Sequence, residues 1–264
     1  MKITFHGDDL PSSREFDIKR GREEGRWHVP EEVPVAFVYN RRNYSVMMAT
    51  PDDLADFAIG FSLTEKIISE PWDIISLDIF QTVEGADLRF KITKEALEKI
   101  DIIHRRRNMV GSASCGLCGL ENADVLFQKL DPVSKKPVDL DLNVLASALE
   151  VLNKHQPLNR LTRTVHAAAW ADQNGEIKTV REDVGRHNAL DKLLGAMAMD
   201  KTDVAAGFVV MSSRCSYEIV EKAARQGVKA LVSLSAPTAF ALRKATEANM
   251  AIYSQSATGP VRLL

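Results

Sequence analysis

The second half of the chain alternates short apolar runs with amphipathic segments, and no other feature of the sequence constrains the fold as much. The pattern predicts three strands separated by two helices, over residues 207–211, 217–226, 230–234, 238–249 and 250–253 in chain order. This order is typical of parallel βαβ units with right-handed crossovers. Upstream, Asn174-Gly175 favours a hairpin between strands at 165–171 and 176–181, and a helix is predicted at 186–199. We therefore expect an α/β domain.

The first half has a less regular pattern. Residues 1–30 are polar and charged and predict a loose arm, whereas residues 30–108 predict a small α+β region. Within that region, four strands are expected at 33–39, 44–50, 74–82 and 88–93, and helices are expected to start at Thr50 and Thr93. Thr50 is predicted to cap the first helix through its hydroxyl, with Pro51 in the first turn.

A loop-rich stretch at 109–140 separates the two halves, and a helix with an apolar stripe of leucines follows it at 142–152. We expect an N-terminal α+β region over 1–135, which ends in a cysteine-bearing loop, and an α/β domain over 136–264.

Composition excludes several classes of protein. The chain has 264 residues, of which 45% are apolar, and its net charge is −2. These values are ordinary for a globular protein and give no reason to expect nucleic acid or an anionic membrane as partner. No apolar run is long enough to span a bilayer, and the acidic start is no secretory signal. A cytoplasmic location is expected, where thiols stay reduced.

The sequence Cys115-Gly116-Leu117-Cys118 places two thiols close together in a glycine-rich loop; Cys215 is the third cysteine. A thiol in a C-x-x-C segment often has a depressed pKa and is partly thiolate near neutral pH. Thiolate attacks sulfur donors and binds metals, so sulfur transfer, disulfide exchange and structural zinc remain alternatives, beside simple packing of two small side chains.

Counting ligands weakens the zinc interpretation. A structural zinc site takes four ligands, so Cys215 with His104 or His166, or a second C-x-x-C pair in a dimer, would have to complete it. Disulfide exchange usually places C-x-x-C at a strand-to-helix junction of a βαβ unit, whereas this pair precedes those units. No metal ligands are predicted.

Three predicted loop-to-helix junctions carry polar side chains. Ligands bind at the carboxyl ends of strands in open α/β sheets, and helix N-termini attract phosphate. Arg186 and Arg214 suit phosphate oxygens, and Asp183 suits a purine amine or a ribose hydroxyl. The alternative is ordinary capping by Ser216 and Thr238. The candidate cofactor-binding residues are Asp183, Gly185, Arg186, His187, Ser213, Arg214, Ser235 and Thr238.

His166 lies in a predicted strand of small residues, where a buried, hydrogen-bonded histidine is expected. Zinc deaminases carry H-x-E followed later by P-C-x-x-C. Here Ala168 occupies the glutamate position, and both cysteines precede the histidine. Deaminase chemistry therefore lacks its acid/base group and is rejected.

Taken together, these motifs resemble the formate dehydrogenase accessory sulfurtransferase family, the FdhD family. The most specific segments are Ser-Cys-Gly-Leu-Cys-Gly at 114–119 and Glu-Asp-Val-Gly-Arg-His-Asn-Ala-Leu-Asp-Lys at 182–192. Further matching segments lie at 31–35, 50–53, 58–61, 64–65, 165–168, 216–220 and 235–238. The chain departs from the family pattern at Ser213, at Arg163-Thr164 and in the tail after Tyr253.

The resemblance implies a cytidine-deaminase-like three-layer domain with a smaller N-terminal α+β region, assembled as a homodimer. It also implies that Cys115 and Cys118 pass persulfide sulfur from a cysteine desulfurase to a molybdenum or tungsten cofactor with guanine dinucleotides. The sulfurated cofactor would then go to the catalytic subunit of formate dehydrogenase. A non-catalytic cofactor-binding chaperone and a structural zinc protein are the alternatives.

Overall fold

A computed structural model describes residues 1–21, 23–100 and 129–264. The loop with Cys115 and Cys118 lies outside these residues, as do His104 and the end of the helix predicted to start at Thr93. That helix is confirmed over residues 94–100. Within the described ranges, no helix is long and apolar enough to cross a membrane.

The described strands are β1 Lys2–His6, β2 Ser13–Arg20, β3 Glu23–Pro30, β4 Val33–Tyr39, β5 Arg42–Ala49, β6 Ile74–Thr82, β7 Gly85–Ile92, β8 His166–Asp172, β9 Ile177–Asp183, β10 Gly207–Arg214, β11 Ala230–Ser235, β12 Ala251–Ser256 and β13 Gly259–Arg262. The α-helices with both ends in the described ranges are α1 Leu54–Thr64, α2 Leu142–Leu152, α3 Pro157–Thr162, α4 Arg186–Met199, α5 Tyr217–Arg225 and α6 Ala239–Glu247.

The first region is built on a five-stranded sheet in the order β1-β6-β7-β4-β5. Alternating apolar side chains of these strands pack against α1, with Phe37, Phe57 and Leu77 fully buried. The predicted loose arm over residues 1–30 is wrong, because β1 pairs in parallel with β6 and because β2 and β3 form a separate hairpin. Asp17 and Lys19 lie exposed on β2, where they alternate with Phe16 and Ile18, and such alternation is the strand signal.

The second region is a six-stranded sheet in the order β13-β12-β11-β10-β8-β9. Strands β10, β11 and β12 run parallel, as the alternation predicted, and β8 and β9 form the predicted hairpin. Helices α4, α5 and α6 pack on one face of this sheet and α2 packs on the other. The mixed α/β class is confirmed, whereas the likeness to cytidine deaminases stays a prediction.

Helix α1 of the first region crosses α4 of the second with their backbones in contact. A Cβ atom added at Gly60 would lie 1.7 Å from the carbonyl oxygen of Asp191, and one added at Gly195 would lie 2.0 Å from that of Asp56. Only glycine fits at both positions, so the two regions share one closely packed helix pair.

The start of α1 differs from the prediction. Asp53, in a left-handed conformation with φ 54°, precedes the helix and makes no side-chain cap hydrogen bond. Thr50 does not cap α1; instead, its hydroxyl oxygen accepts a hydrogen bond from the backbone N–H of Val184 at 3.1 Å. A residue expected to begin a helix therefore connects the two regions.

Gly60→Ala and Gly195→Ala should each destabilise the protein. Replacing glycine by alanine inside an exposed helix usually stabilises by about 1 kcal/mol. Here the added methyl group meets backbone that cannot rotate away, so we expect the free energy of unfolding to fall by about 1–3 kcal/mol or more. Urea unfolding followed by circular dichroism measures the change. The control is Gly25→Ala, where the added atom meets only the Ile18 side chain at 3.6 Å. Equal stability of all variants would contradict the backbone contact.

Candidate functional site

One edge of the six-stranded sheet collects the three predicted junctions. Strands β9, β10 and β11 run in the same direction and end at this edge, where α4, α5 and α6 begin. The strand register places His166 opposite Asp183 and Arg214 beside Ser235. Residues from four separate stretches of the sequence therefore meet along the edge at which α/β proteins bind ligands.

Asp183 holds the start of α4 from inside the protein. Its Oδ1 accepts hydrogen bonds from the Gly185 N–H at 2.8 Å and from Asn188 Nδ2 at 2.9 Å. Its Oδ2 accepts from the Thr50 N–H at 3.0 Å and lies 2.8 Å from Lys192 Nζ. The side chain has no exposed surface. In this structure Asp183 therefore positions the start of α4, and its predicted contact with a purine or ribose stays a prediction.

Lys192 is the partner that the sequence analysis missed. Its side chain is also without exposed surface, and its Nζ donates to the carbonyl oxygen of Thr50 at 2.9 Å. Asn188, one turn earlier on α4, donates to the carbonyl oxygen of Met48 at 2.8 Å. The spacing of four residues was available as a signal, because positions i and i+4 share a helix face. These contacts attach the start of α4 to the end of β5.

Charged side chains cluster beside this start. His187 Nε2 lies 2.9 Å from Glu218 Oε2, and hydrogen bonding to His187 lowers the pKa of Glu218. Burial, together with the charges of Arg186 and His187, lowers the pKa of His166. The lowered pKa favours the neutral form of the His166 imidazole. The Arg186 Nε is buried, and no residue within the described ranges accepts its hydrogen. An anion would supply that missing acceptor.

Of the remaining candidate binding residues, some are exposed to solvent and others form hydrogen bonds within the protein. Arg214 and Ser235 are exposed at neighbouring strand ends. Ser213 is buried, and its hydroxyl donates to the carbonyl oxygen of Arg214 at 3.0 Å. Thr238 caps α6 by accepting from the Ala241 N–H, as the capping alternative predicted. Ser216 makes no cap bond. Arg186 and Arg214 are thus the side chains best placed for phosphate.

Cys215 is not a reactive thiol in this fold. It lies two residues before the first residue of α5, where a thiolate would be favoured, but its side chain is fully buried. Burial raises the pKa of Cys215 to about 12, so almost all of it is thiol at neutral pH. Sulfur chemistry by this chain would therefore depend on Cys115 and Cys118, which lie outside the described residues.

Comparison with known proteins establishes the family. The model of the FdhD/NarQ family matches residues 30–257, and the chain belongs to this family. The sulfur carrier protein FdhD of Xanthomonas euvesicatoria pv. vesicatoria is 45% identical over 85% of this chain and 79% of its own length. The sulfur carrier protein FdhD of Cupriavidus necator is 42% identical over 85% of this chain and 77% of its own length.

A solved structure shows the same fold. It comes from Desulfotalea psychrophila, and its protein is assigned as a formate dehydrogenase accessory protein. It superposes with a TM-score of 0.70 at 22% identity and covers 96% of this chain and 97% of its own. The family resemblance carried by the sequence motifs is confirmed, and the strands of residues 1–29 precede the segment that the family model matches.

Proposed function

We propose that this chain is a sulfur carrier that passes persulfide sulfur from a cysteine desulfurase to a guanine-dinucleotide molybdenum or tungsten cofactor. The observation that carries the proposal is 45% identity over 85% of the chain to a protein named as a sulfur carrier. The client would be the catalytic subunit of formate dehydrogenase, in keeping with the assignment of the solved structure of the same fold. We propose a cytoplasmic homodimer as the working form.

The two thiols of the C-x-x-C pair can transfer sulfur in steps that balance in electrons and need no resident metal. The Cys115 thiolate attacks the outer sulfur of the donor persulfide; the donor S–S bond breaks, and the donor thiolate leaves. Cys115 then carries the sulfane sulfur. Attack by the Cys118 thiolate on Sγ of Cys115 forms a Cys115–Cys118 disulfide and releases hydrosulfide, which takes the electron pair of the broken bond and can bind the metal. A cellular dithiol then reduces the disulfide for the next cycle.

The edge of the six-stranded sheet would hold the nucleotide part of the cofactor, which is the cargo. Arg186, with its unpartnered buried Nε, and the exposed Arg214 would bind phosphate beside the N-termini of α4, α5 and α6. A cytidine-deaminase-like ancestry of the domain would fit this placement. Deaminase activity is not proposed, because Ala168 is buried in β8 where such an enzyme needs a glutamate.

The thiol pair is tested by sulfur loading. Wild type, Cys115→Ala, Cys118→Ala and the double variant are incubated with desulfurase and cysteine, and bound sulfane sulfur is measured with a persulfide-selective label. We expect the double variant to lose nearly all label, because Cys215 is buried. Cys118→Ala should load and then retain its persulfide, because the attacking thiolate is missing.

Cys215→Ser is the matched control and should keep most of the loading. A double variant that still carries label at the wild-type level would exclude transfer through this pair and favour a non-catalytic cofactor chaperone. If Cys215→Ser loses as much sulfane-sulfur label as Cys115→Ala, Cys215 is itself a reactive thiol and the assignment is wrong.

The nucleotide edge is tested with guanosine diphosphate, which resembles one half of the nucleotide part. Charge-assisted hydrogen bonds contribute about 1.5–3 kcal/mol each. Arg186→Ala and Arg214→Ala should therefore weaken binding about ten- to a hundredfold, since about 1.4 kcal/mol is a factor of ten. Calorimetric titration measures the affinities. The control Arg89→Ala removes the same charge from an exposed position on β7.

Equal affinity in all four proteins, with the fold intact by circular dichroism, would remove the phosphate assignment. Equal binding of adenosine and guanosine diphosphates would keep the phosphate site and remove the guanine specificity.

A further inference from the structure

A second charged site lies away from the sheet edge. A cavity of about 500 Å³ opens beside the C-terminal ends of α1 and α5, and residues 129–131 also line it. Among the described residues, the basic side chains of Lys66, Lys99, Lys129 and Arg225 line it, together with one carboxylate, that of Asp131. Because the whole chain has a net charge of −2, this is a local concentration of positive charge.

The four basic side chains of the cavity differ in their hydrogen bonding and exposure. The guanidinium of Arg225 donates to the carbonyl oxygen of Thr64 and to Glu221 Oε1, both at 2.6 Å, and is fixed in place. Lys99 Nζ donates to Ser69 Oγ at 2.6 Å. Lys66 and Lys129 are exposed, and no ion pair to either is formed within the described ranges. The cavity therefore combines two hydrogen-bonded cations, Arg225 and Lys99, with two exposed ammonium groups, Lys66 and Lys129.

The surroundings favour separated carboxylates over a compact phosphate. Both neighbouring helices point their C-terminal ends at this cavity, and the partial negative charge there opposes a dense anion. Phosphate prefers helix N-termini and arginine forks, which this chain presents at the sheet edge instead. Exposed lysines spaced around an open cavity suit a peptide with several acidic side chains, and charge complementarity of this kind increases association rates.

The cavity also lies where the chain meets the thiol-bearing segment. Lys99 and Lys129 both line it, and in sequence they flank residues 101–128, which include Cys115 and Cys118. A protein that delivers a persulfide to these thiols has to bind next to this segment. We infer that the basic cavity is the docking site for an acidic segment of the persulfide-donor protein. The inference rests on the proposed sulfur-carrier function and adds the surface by which the donor is recognised.

The test compares two sulfur donors on charge variants. The cavity variant combines Lys66→Gln, Lys99→Gln and Lys129→Gln. The matched control combines Lys2→Gln, Lys91→Gln and Lys154→Gln and loses the same amount of charge. Each protein is loaded either by cysteine desulfurase with cysteine or by sodium tetrasulfide. At about 50 mM salt, where surface charges are weakly screened, we expect desulfurase loading of the cavity variant to slow about tenfold or more. Tetrasulfide loading should be unchanged, and the difference should largely vanish near about 1 M salt.

Direct binding of desulfurase to wild type and variants, measured by biolayer interferometry, keeps the test independent of sulfur transfer. If only the cavity variant binds desulfurase more weakly, the docking site is supported, whether or not any of the proteins loads sulfur. If none of the proteins loads sulfur, the proposed function is wrong. Unchanged desulfurase binding and loading in the cavity variant would overturn the inference. Inhibition by inorganic pyrophosphate beyond that of sodium chloride at equal ionic strength would also overturn it, in favour of a phosphate site, if the inhibition persists in Arg186→Ala and is lost in the cavity variant. If the triple variant fails to fold, Lys66→Gln with Lys129→Gln repeats the test on exposed residues only.

Discussion

The fully buried ion pair of Asp183 and Lys192 determines how the rest of the candidate site is arranged. Both charges are removed from water and lie 2.8 Å apart, and each is also bonded to backbone groups of Thr50. Removing one member of such a pair leaves an uncompensated charge, typically at a cost of about 3–5 kcal/mol. The pair can therefore persist only if β9, α4 and the end of β5 keep their relative positions. That constraint fixes the Gly185 turn and hence the direction in which Arg186 and His187 leave it.

A second buried network strengthens the same junction further along the helices. Lys222 on α5 lies 2.8 Å from Asp191 on α4, and the hydroxyl of Thr64 on α1 donates to Asp191 at 2.7 Å. The Gly60–Gly195 crossing packs beside this network, because Gly60 meets the backbone of Asp191. The two regions therefore meet through a closely packed helix pair with two buried charged networks beside it. The sheet edge and the basic cavity are built on this common frame, the first at helix N-termini and the second at helix C-termini.

The sequence predicted the second region well, because its elements are local and strongly periodic. Helix α4 has the predicted bounds, and strands β10 to β12 have the predicted direction. It predicted residues 1–30 poorly, because β1 depends on pairing with β6, some seventy residues away in register. The sequence motif drew attention to Asp183, but the contacts that this side chain makes depend on its burial, which the motif does not specify. A carboxylate near a helix start has the same sequence signature whether it binds a ligand or, as here, a buried lysine in the second turn of the helix that follows.

The central claim is that one chain combines a sulfur-carrying thiol pair with a binding edge for the nucleotide part of a metal cofactor. The most direct test is to purify the full chain from cells that make the cofactor and to determine bound metal and released nucleotide by mass spectrometry. We expect guanine nucleotide together with molybdenum or tungsten in wild type, and a marked loss of both in Arg186→Ala. Protein that carries no guanine nucleotide, or that holds one zinc per chain and unfolds when a chelator removes it, would contradict the account.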